Sequence, residues 1–361
     1  LIGHRNHRPD ATPPAPLILF GAFDRHNLGD MLLAHVAARE AGPRPVVFAG
    51  LAERDLTDQG GQRVRAIADL AREWGDARAD LAHVGGELLT CDLYQAAVMV
   101  QSETEARAAI ARYDADPAGG LEWAMTTLGL RQRMAYLVPK SLFRNPGRFI
   151  FRAVGGTDLD TLSAPQRDEV LDRLREADAL GVRDRITRDR LAEAGIPATL
   201  EPDPVSRVAT LFGEIIARHA DSGEPAEVKE AFPAGYLAIQ FAAEYGDDAS
   251  LAILASDLHR KAGGKGLVLF RAGAAPWHDD PATYRRLARL MPNRRVHLFR
   301  SLHVWDICAL IAAARGYCGT SLHAGIVSRT FGVENPPFPL TARSTKSAAY
   351  SDTWYVSRAP A

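Results

Sequence analysis

Short apolar runs alternate with amphipathic stretches along most of this chain, and the alternation predicts its architecture. Residues 17–20 form an apolar run that ends at Gly21, and after a polar loop residues 31–40 carry Leu32, Leu33, Val36 and Ala37 at helical spacing. A strand, a loop with glycine and asparagine, then an amphipathic helix is the opening βα unit of a nucleotide-type fold. The unit repeats: 45–49 as strand, 62–74 as helix, 81–85 as strand and 93–100 as helix. Over 149–201 the same rhythm predicts strands at 149–154, 179–182 and 199–201, with helices at 166–177 and 187–194. Alternation at this spacing predicts a parallel sheet covered on both faces.

The rhythm breaks twice. Residues 101–148 are rich in Ala and Arg with scattered aromatics (Tyr113, Trp123, Tyr136), and read as helices inserted into the first domain. Past Pro202-Asp203-Pro204 the pattern gives one helix at 208–219 and then a polar stretch at 221–230 that reads as a linker. It resumes with strands at 236–241, 266–270, 296–299 and 316–318, helices at 249–262, 282–291 and 304–314, and a helix from about residue 322. The expected organisation is α/β: a flexible Pro-rich leader at 1–16, a Rossmann-like domain at 17–204, a linker at 205–235 and a second Rossmann-like domain at 236–361. Both domains have parallel sheets. Ligands of such sheets bind at the carboxyl ends of the strands, so the cleft between the domains is the expected site.

Composition narrows the function. At 361 residues, 47% hydrophobic, the chain has material for two cores, since single cores rarely grow past about 250–300 residues. Lys+Arg 43 against Asp+Glu 44 leaves a net charge of -1, which gives no field for nucleic acid and makes any anion site local. Cys91, Cys308 and Cys318 are far apart without metal-knuckle spacing, so a reducing cytoplasm is the expected compartment. No apolar run approaches the ~20 residues of a membrane span. The chain begins with Leu, as a trimmed or internal piece of a longer protein would.

Four segments at predicted strand ends carry candidate chemistry. In Gly21-Ala22-Phe23-Asp24-Arg25-His26-Asn27-Leu28-Gly29-Asp30, Gly29 permits tight backbone geometry and Asp30 suits a helix N-cap, with free amides nearby for a phosphate or carboxylate. A capped turn with no ligand fits the same residues. The pair Gly85-Gly86 ends a strand and allows a ligand close approach, and Glu87 beside it is a candidate proton-transfer carboxylate. Arg183, also at a strand end, suits bidentate recognition of an anion, or a salt bridge to Asp184. In Gly319-Thr320-Ser321-Leu322-His323, hydroxyls, helix-start amides and an imidazole converge on one place.

In order and spacing these segments resemble the polysaccharide pyruvyl transferase family. Residues 177–204, with Arg183-Asp184, Gly195-Ile196 and Asp203-Pro204, resemble its "vRd … lGi … DP" stretch; Leu322-His323 with Gly332-Val333 resembles its "SRLHa … lGvP" stretch. Asn27-Leu28-Gly29-Asp30 is similar to its "NxGD" element, and Gly85-Gly86-Glu87 to its "GGG" turn. The resemblance implies a glycosyltransferase-B-like fold and transfer of an enolpyruvyl unit from phosphoenolpyruvate to a sugar of a surface or exopolysaccharide precursor, leaving a pyruvate ketal. It implies that Arg183 grips the donor, with Asn27, Gly29, Gly85, Gly86, Thr320 and Ser321 around it. His323 then serves as ligand or proton donor, and Asp30 or Glu87 takes the sugar's hydroxyl proton. No metal or cofactor is required by this scheme, and a lipid-linked acceptor implies peripheral contact with a membrane. Two departures stand out: Ser321 occupies the place of the family's Arg before Leu-His, and Glu87 that of the third glycine. Arg271, Arg300 or Arg329 is then expected to replace the missing guanidinium, or the donor differs. A nucleotide-sugar glycosyltransferase and a non-catalytic relative are the competing readings.

Overall fold

The computed structural model describes residues 15–292, 294–340 and 346–355; most of the expected leader lies outside them. Its first half is β1 (Leu17–Phe20), α1 (Leu28–Glu40), β2 (Val46–Gly50), β3 (Arg54–Asp55), β4 (Arg63–Ala66), α2 (Ile67–Trp74), β5 (Ala79–Val84), α3 (Leu93–Met99), α4 (Glu103–Tyr113), α5 (Pro117–Leu128), β6 (Pro146–Val154), α6 (Ala164–Arg175), β7 (Ala179–Val182), α7 (Arg185–Glu193) and β8 (Thr199–Leu200). The second half is α8 (Val208–Ala220), α9 (Gly223–Ala231), β9 (Tyr236–Gln240), α10 (Asp248–Ala262), β10 (Gly266–Leu269), α11 (Pro281–Arg289), β11 (Val296–Leu298), α12 (Val304–Ala313), β12 (Gly316–Gly319), α13 (Leu322–Thr330) and α14 (Lys346–Trp354).

The strands form two sheets, ordered β3-β4-β2-β1-β5-β6-β7-β8 and β11-β10-β9-β12, parallel throughout except for β3 against β4. The architecture is therefore α/β, with two Rossmann-like units. In each, the first strand lies between neighbours reached in opposite winding directions, β1 between β2 and β5, and β9 between β10 and β12. Such switch points open a crevice at the carboxyl ends of the strands. Gly21 and Gly85 stand over the first crevice; Gln240 and Thr320 stand over the second. The apolar face of α1 (Leu28, Met31, Leu32) packs in one cluster with Phe212 of α8, Trp305 and Ile307 of α12, and Ile326 of α13, so a single core ties the two halves.

Three local expectations change. Residues 63–66, expected as the start of a helix, are strand β4: Val64 is buried between half-exposed or exposed arginines, a period of two that a longer helical window hides. The polar stretch expected as linker is largely helix α9, which buries Pro225 and Val228 and whose Glu224 accepts the amides of Arg300 and Ser301. Last, α14 folds back across the first unit, where Tyr350 Oη accepts from the Asp203 amide (3.1 Å) and Trp354 Nε1 donates to the Arg183 carbonyl (2.8 Å). Among the described residues no helix is long and apolar enough to cross a membrane.

Candidate active site

A cavity of about 350 Å³ lies between the two switch points, lined from the first unit by Arg25, Asn27, Asp30, Glu87 and Arg183, and from the second by Gln240, His278, Thr320, Ser321 and His323. The motifs that the sequence spaces over three hundred residues meet here. His323, in the first turn of α13, lies so close to Gly29 that a Cβ built there would fall inside its ring. Glycine at 29 is therefore a packing requirement between the two halves. The His323 Nε2 donates to Asp203 Oδ2 (3.2 Å), and Nδ1 makes no hydrogen bond in the described chain.

Asp203 has no exposed surface. Burial works to raise its carboxyl, but the His323 and Arg183 charges and the Val205 amide (3.0 Å) outweigh it and hold the group below the usual carboxylate range. Arg183, 2% exposed, reaches Asp203 with Nη1 (3.5 Å) and Glu87 with Nη2. The result is a continuous chain of groups, Glu87–Arg183–Asp203–His323–Gly29, that crosses from one unit to the other. Glu87 also accepts the Thr157 amide at Oε1 (3.0 Å). Thus Arg183, expected to grip a ligand, has both ends on carboxylates, and Glu87, expected to take a proton, is its anchor. A bulge in β6 makes the room: Ala153 takes φ 48°, the pairing with β7 shifts there, and Gly155 passes so near Glu87 and Arg183 that a Cβ would strike both.

The start of α1 differs from expectation. The helix begins at Leu28, and the cap is Asn27, whose Oδ1 accepts the amides of Gly29 (3.0 Å) and Asp30 (3.3 Å); the Leu28 amide donates to Ala272 O (2.7 Å). No free amides remain there to hold a phosphate. Relieved of capping, Asp30 turns its carboxylate to the cavity, 3.8 Å from Arg25. Gly85 and Gly86 adopt left-handed φ of 56° and 81°, as the turn between β5 and the cavity requires. On the other wall Ser321 caps α13 by accepting from Ala324 N (3.3 Å), Thr320 Oγ1 accepts from Ala242 N (3.2 Å), and the Leu322 and His323 amides have no hydrogen-bond partner among the described residues.

None of the three arginines expected to replace the guanidinium absent at Ser321 lines the cavity. Arg300 is exposed beside Glu224, Arg329 lies over the Tyr355 ring, and Arg271 lines a neighbouring groove. Arg25 instead enters the cavity: its side chain is nine-tenths buried, it donates to Tyr136 Oη, and its Nε is a buried donor without a partner. Lys346 lines the same cavity. Nothing in the spacing of its loop distinguishes Arg25 from a surface arginine. Asp203, before Pro204, likewise carries no local sign of its buried partners. Gln240 had a readable signal, an amide ending an apolar strand; its Oε1 accepts the Ser321 amide (2.9 Å) and its Nε2 donates to Asp279 (2.7 Å).

None of the curated proteins compared with this chain matches it in sequence. Among solved structures it is similar to the UDP-GlcNAc 2-epimerase of Neisseria meningitidis bound to UDP-GlcNAc, with 10% identity, TM-score 0.46, and coverage of 89% of this chain and 81% of that one. It is also similar to the UDP-GlcNAc 2-epimerase of Methanocaldococcus jannaschii in complex with UDP-GlcNAc and UDP (10% identity, TM-score 0.47, 90% and 83% covered). The trehalose-6-phosphate phosphatase N-terminal domain of Candida albicans is a third (10% identity, TM-score 0.44, 97% and 90% covered). At this distance nothing about substrate or reaction transfers. A family profile does match: residues 156–335 fit polysaccharide pyruvyl transferase, a span that contains Arg183, Asp203, Ser321 and His323 but not the loops of Asn27 and Glu87. Through residues 156–335 the chain belongs to the polysaccharide pyruvyl transferase family.

Proposed function

We propose that the cavity binds phosphoenolpyruvate and that the enzyme passes its three-carbon unit to two hydroxyls of a sugar, forming a cyclic pyruvate ketal and inorganic phosphate. The observation that carries this reading is the His323–Asp203 pair, held against Gly29 and facing a buried cation, Arg25, with an unpartnered Nε. The donor is a phosphate and a carboxylate on one enol, so it needs cations at one end and an acid at the other. Arg25 and Lys346 receive the anionic groups, the part that an Arg at 321 would otherwise take. The Leu322 and His323 amides at the start of α13 add donors with favourable dipole.

The enol carbon becomes electrophilic only when its methylene gains a proton. His323 gives that proton from its ring while Asp203 accepts from Nε2 and fixes the ring's orientation. One sugar hydroxyl adds to the carbon, and its proton passes to Asp30. The bond from that carbon to the phosphate oxygen then breaks, and phosphate leaves with the electron pair and takes the Asp30 proton. The second hydroxyl adds to the resulting cation, and its proton restores His323. Glu87 and Arg183 take no proton; they fix Asp203.

Thermal-shift and phosphorus NMR measurements test this. Phosphoenolpyruvate should raise the melting temperature by mass action, and a competent sugar acceptor should release inorganic phosphate. Arg25→Ala should weaken donor binding roughly ten- to hundredfold, the effect of losing one charge-assisted contact of about 1.5–3 kcal/mol. Stabilisation by nucleotide sugars with none by phosphoenolpyruvate would overturn the reading in favour of glycosyl transfer.

A further inference from the structure

A second constellation lies where α8 meets α12, and none of its residues lines the donor cavity. His219 stands in the last turn of α8, His303 precedes α12 as its N-cap residue, and Asp306 lies in the first turn of that helix. One ligand atom from each of these three side chains lies within 4.8 Å of the other two. His219 Nδ1 and Asp306 Oδ1 are 2.6 Å apart, and the His303 ring stacks on that of His219 with centroids 4.7 Å apart and planes 18° from parallel.

A solvated histidine–aspartate pair would account for two of these residues but not for the third. His303 Nδ1 is buried without a hydrogen-bond partner, a costly state for a polar atom, and the side chain caps no amide of α12. Asp306 is held as a metal-bound carboxylate is held: Ser301 Oγ donates to its Oδ2 (2.6 Å) while its Oδ1 faces His219. The same Ser301 Oγ accepts the His303 amide (3.2 Å), so one hydroxyl positions both residues of α12. His35 of α1 shows the contrast. Its Nε2 donates to Gly60 O (2.7 Å) and its Nδ1 accepts from Gln62 Nε2 (3.0 Å), which leaves no lone pair for an ion. The side chains of His219 and Asp306 are 29% and 21% exposed, so an ion can enter and keep water on its open side.

We propose that His219, His303 and Asp306 bind a divalent transition-metal ion, zinc being the one their donor set fits, with water in the fourth position. Two imidazoles beside one carboxylate suit zinc, whereas magnesium and calcium favour all-oxygen sets. Ligand atoms around a tetrahedral zinc stand roughly 3.3 Å apart, so small side-chain rotations suffice. His219 and Asp306 part to admit the ion, and His303 closes on it. The ion joins α8 to α12, and its effect reaches the first unit, because a Cβ at Gly60 would fall 2.8 Å from His303 Cε1. Leu302 O, one residue before His303, accepts from His26 Nε2 (2.7 Å), beside Arg25. The site is therefore structural: it secures the segment to which the Arg25 loop is tied. No step of the pyruvyl-transfer reading depends on it.

Calorimetric titration of the full chain, stripped with chelator and dialysed, tests the assignment. Zinc chloride should occupy a site of micromolar or tighter affinity and raise the melting temperature by mass action, and magnesium chloride should do neither. Cobalt(II) should compete for the site and give the visible absorption bands of a four-coordinate ion. His303→Ala is the decisive variant, because the His219–Asp306 pair survives in it: zinc affinity should fall at least tenfold, as it should in His219→Gln and Asp306→Asn. Ser301→Ala should weaken binding by about tenfold, the scale of losing a hydrogen bond that orients a ligand. His259→Ala, at an exposed histidine of α10, should leave it unchanged. Each variant is compared with its own metal-free melting curve, so that a loss of fold is not read as a loss of ligand. Absence of zinc binding at micromolar concentration, or binding that His303→Ala leaves at full strength, would overturn the proposal.

Discussion

Asp203 and Asp279 are two buried carboxylates beside one cavity, yet the first is held below its ordinary range and the second is pushed up to about 6. Both accept several hydrogen bonds. Asp279 takes them from Gln240 Nε2 (2.7 Å) and the amides of Ala272 (2.6 Å) and Gly273 (3.2 Å), all neutral donors. Asp203 faces His323 and Arg183. Burial dominates where the donors are neutral and loses where they are charged. The same contrast divides the site: a closed spine from Glu87 to His323 in which each charge has its partner, and an open rim around Trp277 where Arg271 and Arg285 act on Asp279 and Asp280 at a distance, with no hydrogen bond or ion pair from either guanidinium among the described residues. Paired charges fix geometry, and unpaired ones are available to a ligand.

The sharpest way to break that contrast is to cut the spine at its centre. Arg183→Ala leaves Glu87 and Asp203 facing each other without the cation between them, and removing one partner of a buried ion pair costs about 3–5 kcal/mol. Urea denaturation should show a loss of that size, whereas Arg271→Ala on the rim should change stability by less than about 0.5 kcal/mol. Equal losses at the two positions would erase the distinction.

One step along the spine, the effect should move from stability to rate. His323→Ala should lower turnover about 10²- to 10⁴-fold, the usual contribution of a positioned acid, with the fold retained. Asp203→Asn keeps the shape but removes the charge that faces His323 and Arg183, so it should lower turnover and alter its dependence on pH. A pH–rate profile identical to that of the unaltered protein would leave Asp203 a packing residue only.

How the site could be read from sequence follows from the same contrast. Strands such as β1 and β9 declare themselves by continuous burial, and the order of the motifs disclosed Arg183 and His323. Pairing partners separated by a hundred residues do not show in any local pattern, so neither the engagement of Arg183 by Glu87 nor the room that Gly29 leaves for His323 is legible along the chain. Arg25 was hidden for the opposite reason: an arginine in a polar loop reads as solvated until the fold buries it. In α9 polar composition conceals two buried positions, Pro225 and Val228, and in β4 a four-residue alternation precedes a helix without a break.

The two aspartates should also separate in pH dependence. For Asp279 the unfolded value is near 3.8 and the folded one about 6, so between them the folded state keeps a proton that the unfolded chain has lost. Its contribution is complete below the lower value and is lost as pH rises through the upper one, a change on the order of 3 kcal/mol. Asp203 acts in the other sense: its contribution is present above the unfolded value and is lost as pH falls through the folded one. Thermal unfolding of Asp279→Asn should therefore show a more positive slope of stability with pH between 4 and 6 than the unaltered protein. An unchanged slope would remove Asp279 from the account.

The smallest effect tests the bulge beneath the spine. Ala153 is buried in β6 at φ 48°, where an alanine side chain carries a steric cost that glycine does not, of about 1–2 kcal/mol, offset by roughly 0.5–1 kcal/mol of extra chain entropy lost by glycine on folding. Ala153→Gly should thus be neutral or stabilising by up to about 1.5 kcal/mol, an unusual sign for a buried alanine. A clear loss in the urea midpoint would mean that the methyl group's packing outweighs the strain. Because Gly155 lies two residues on and passes against Glu87 and Arg183, a bulge that shifts in the variant would also reveal itself in the kinetics. Unchanged turnover with a raised midpoint is the outcome expected if the bulge serves only to set the chain's path under the spine.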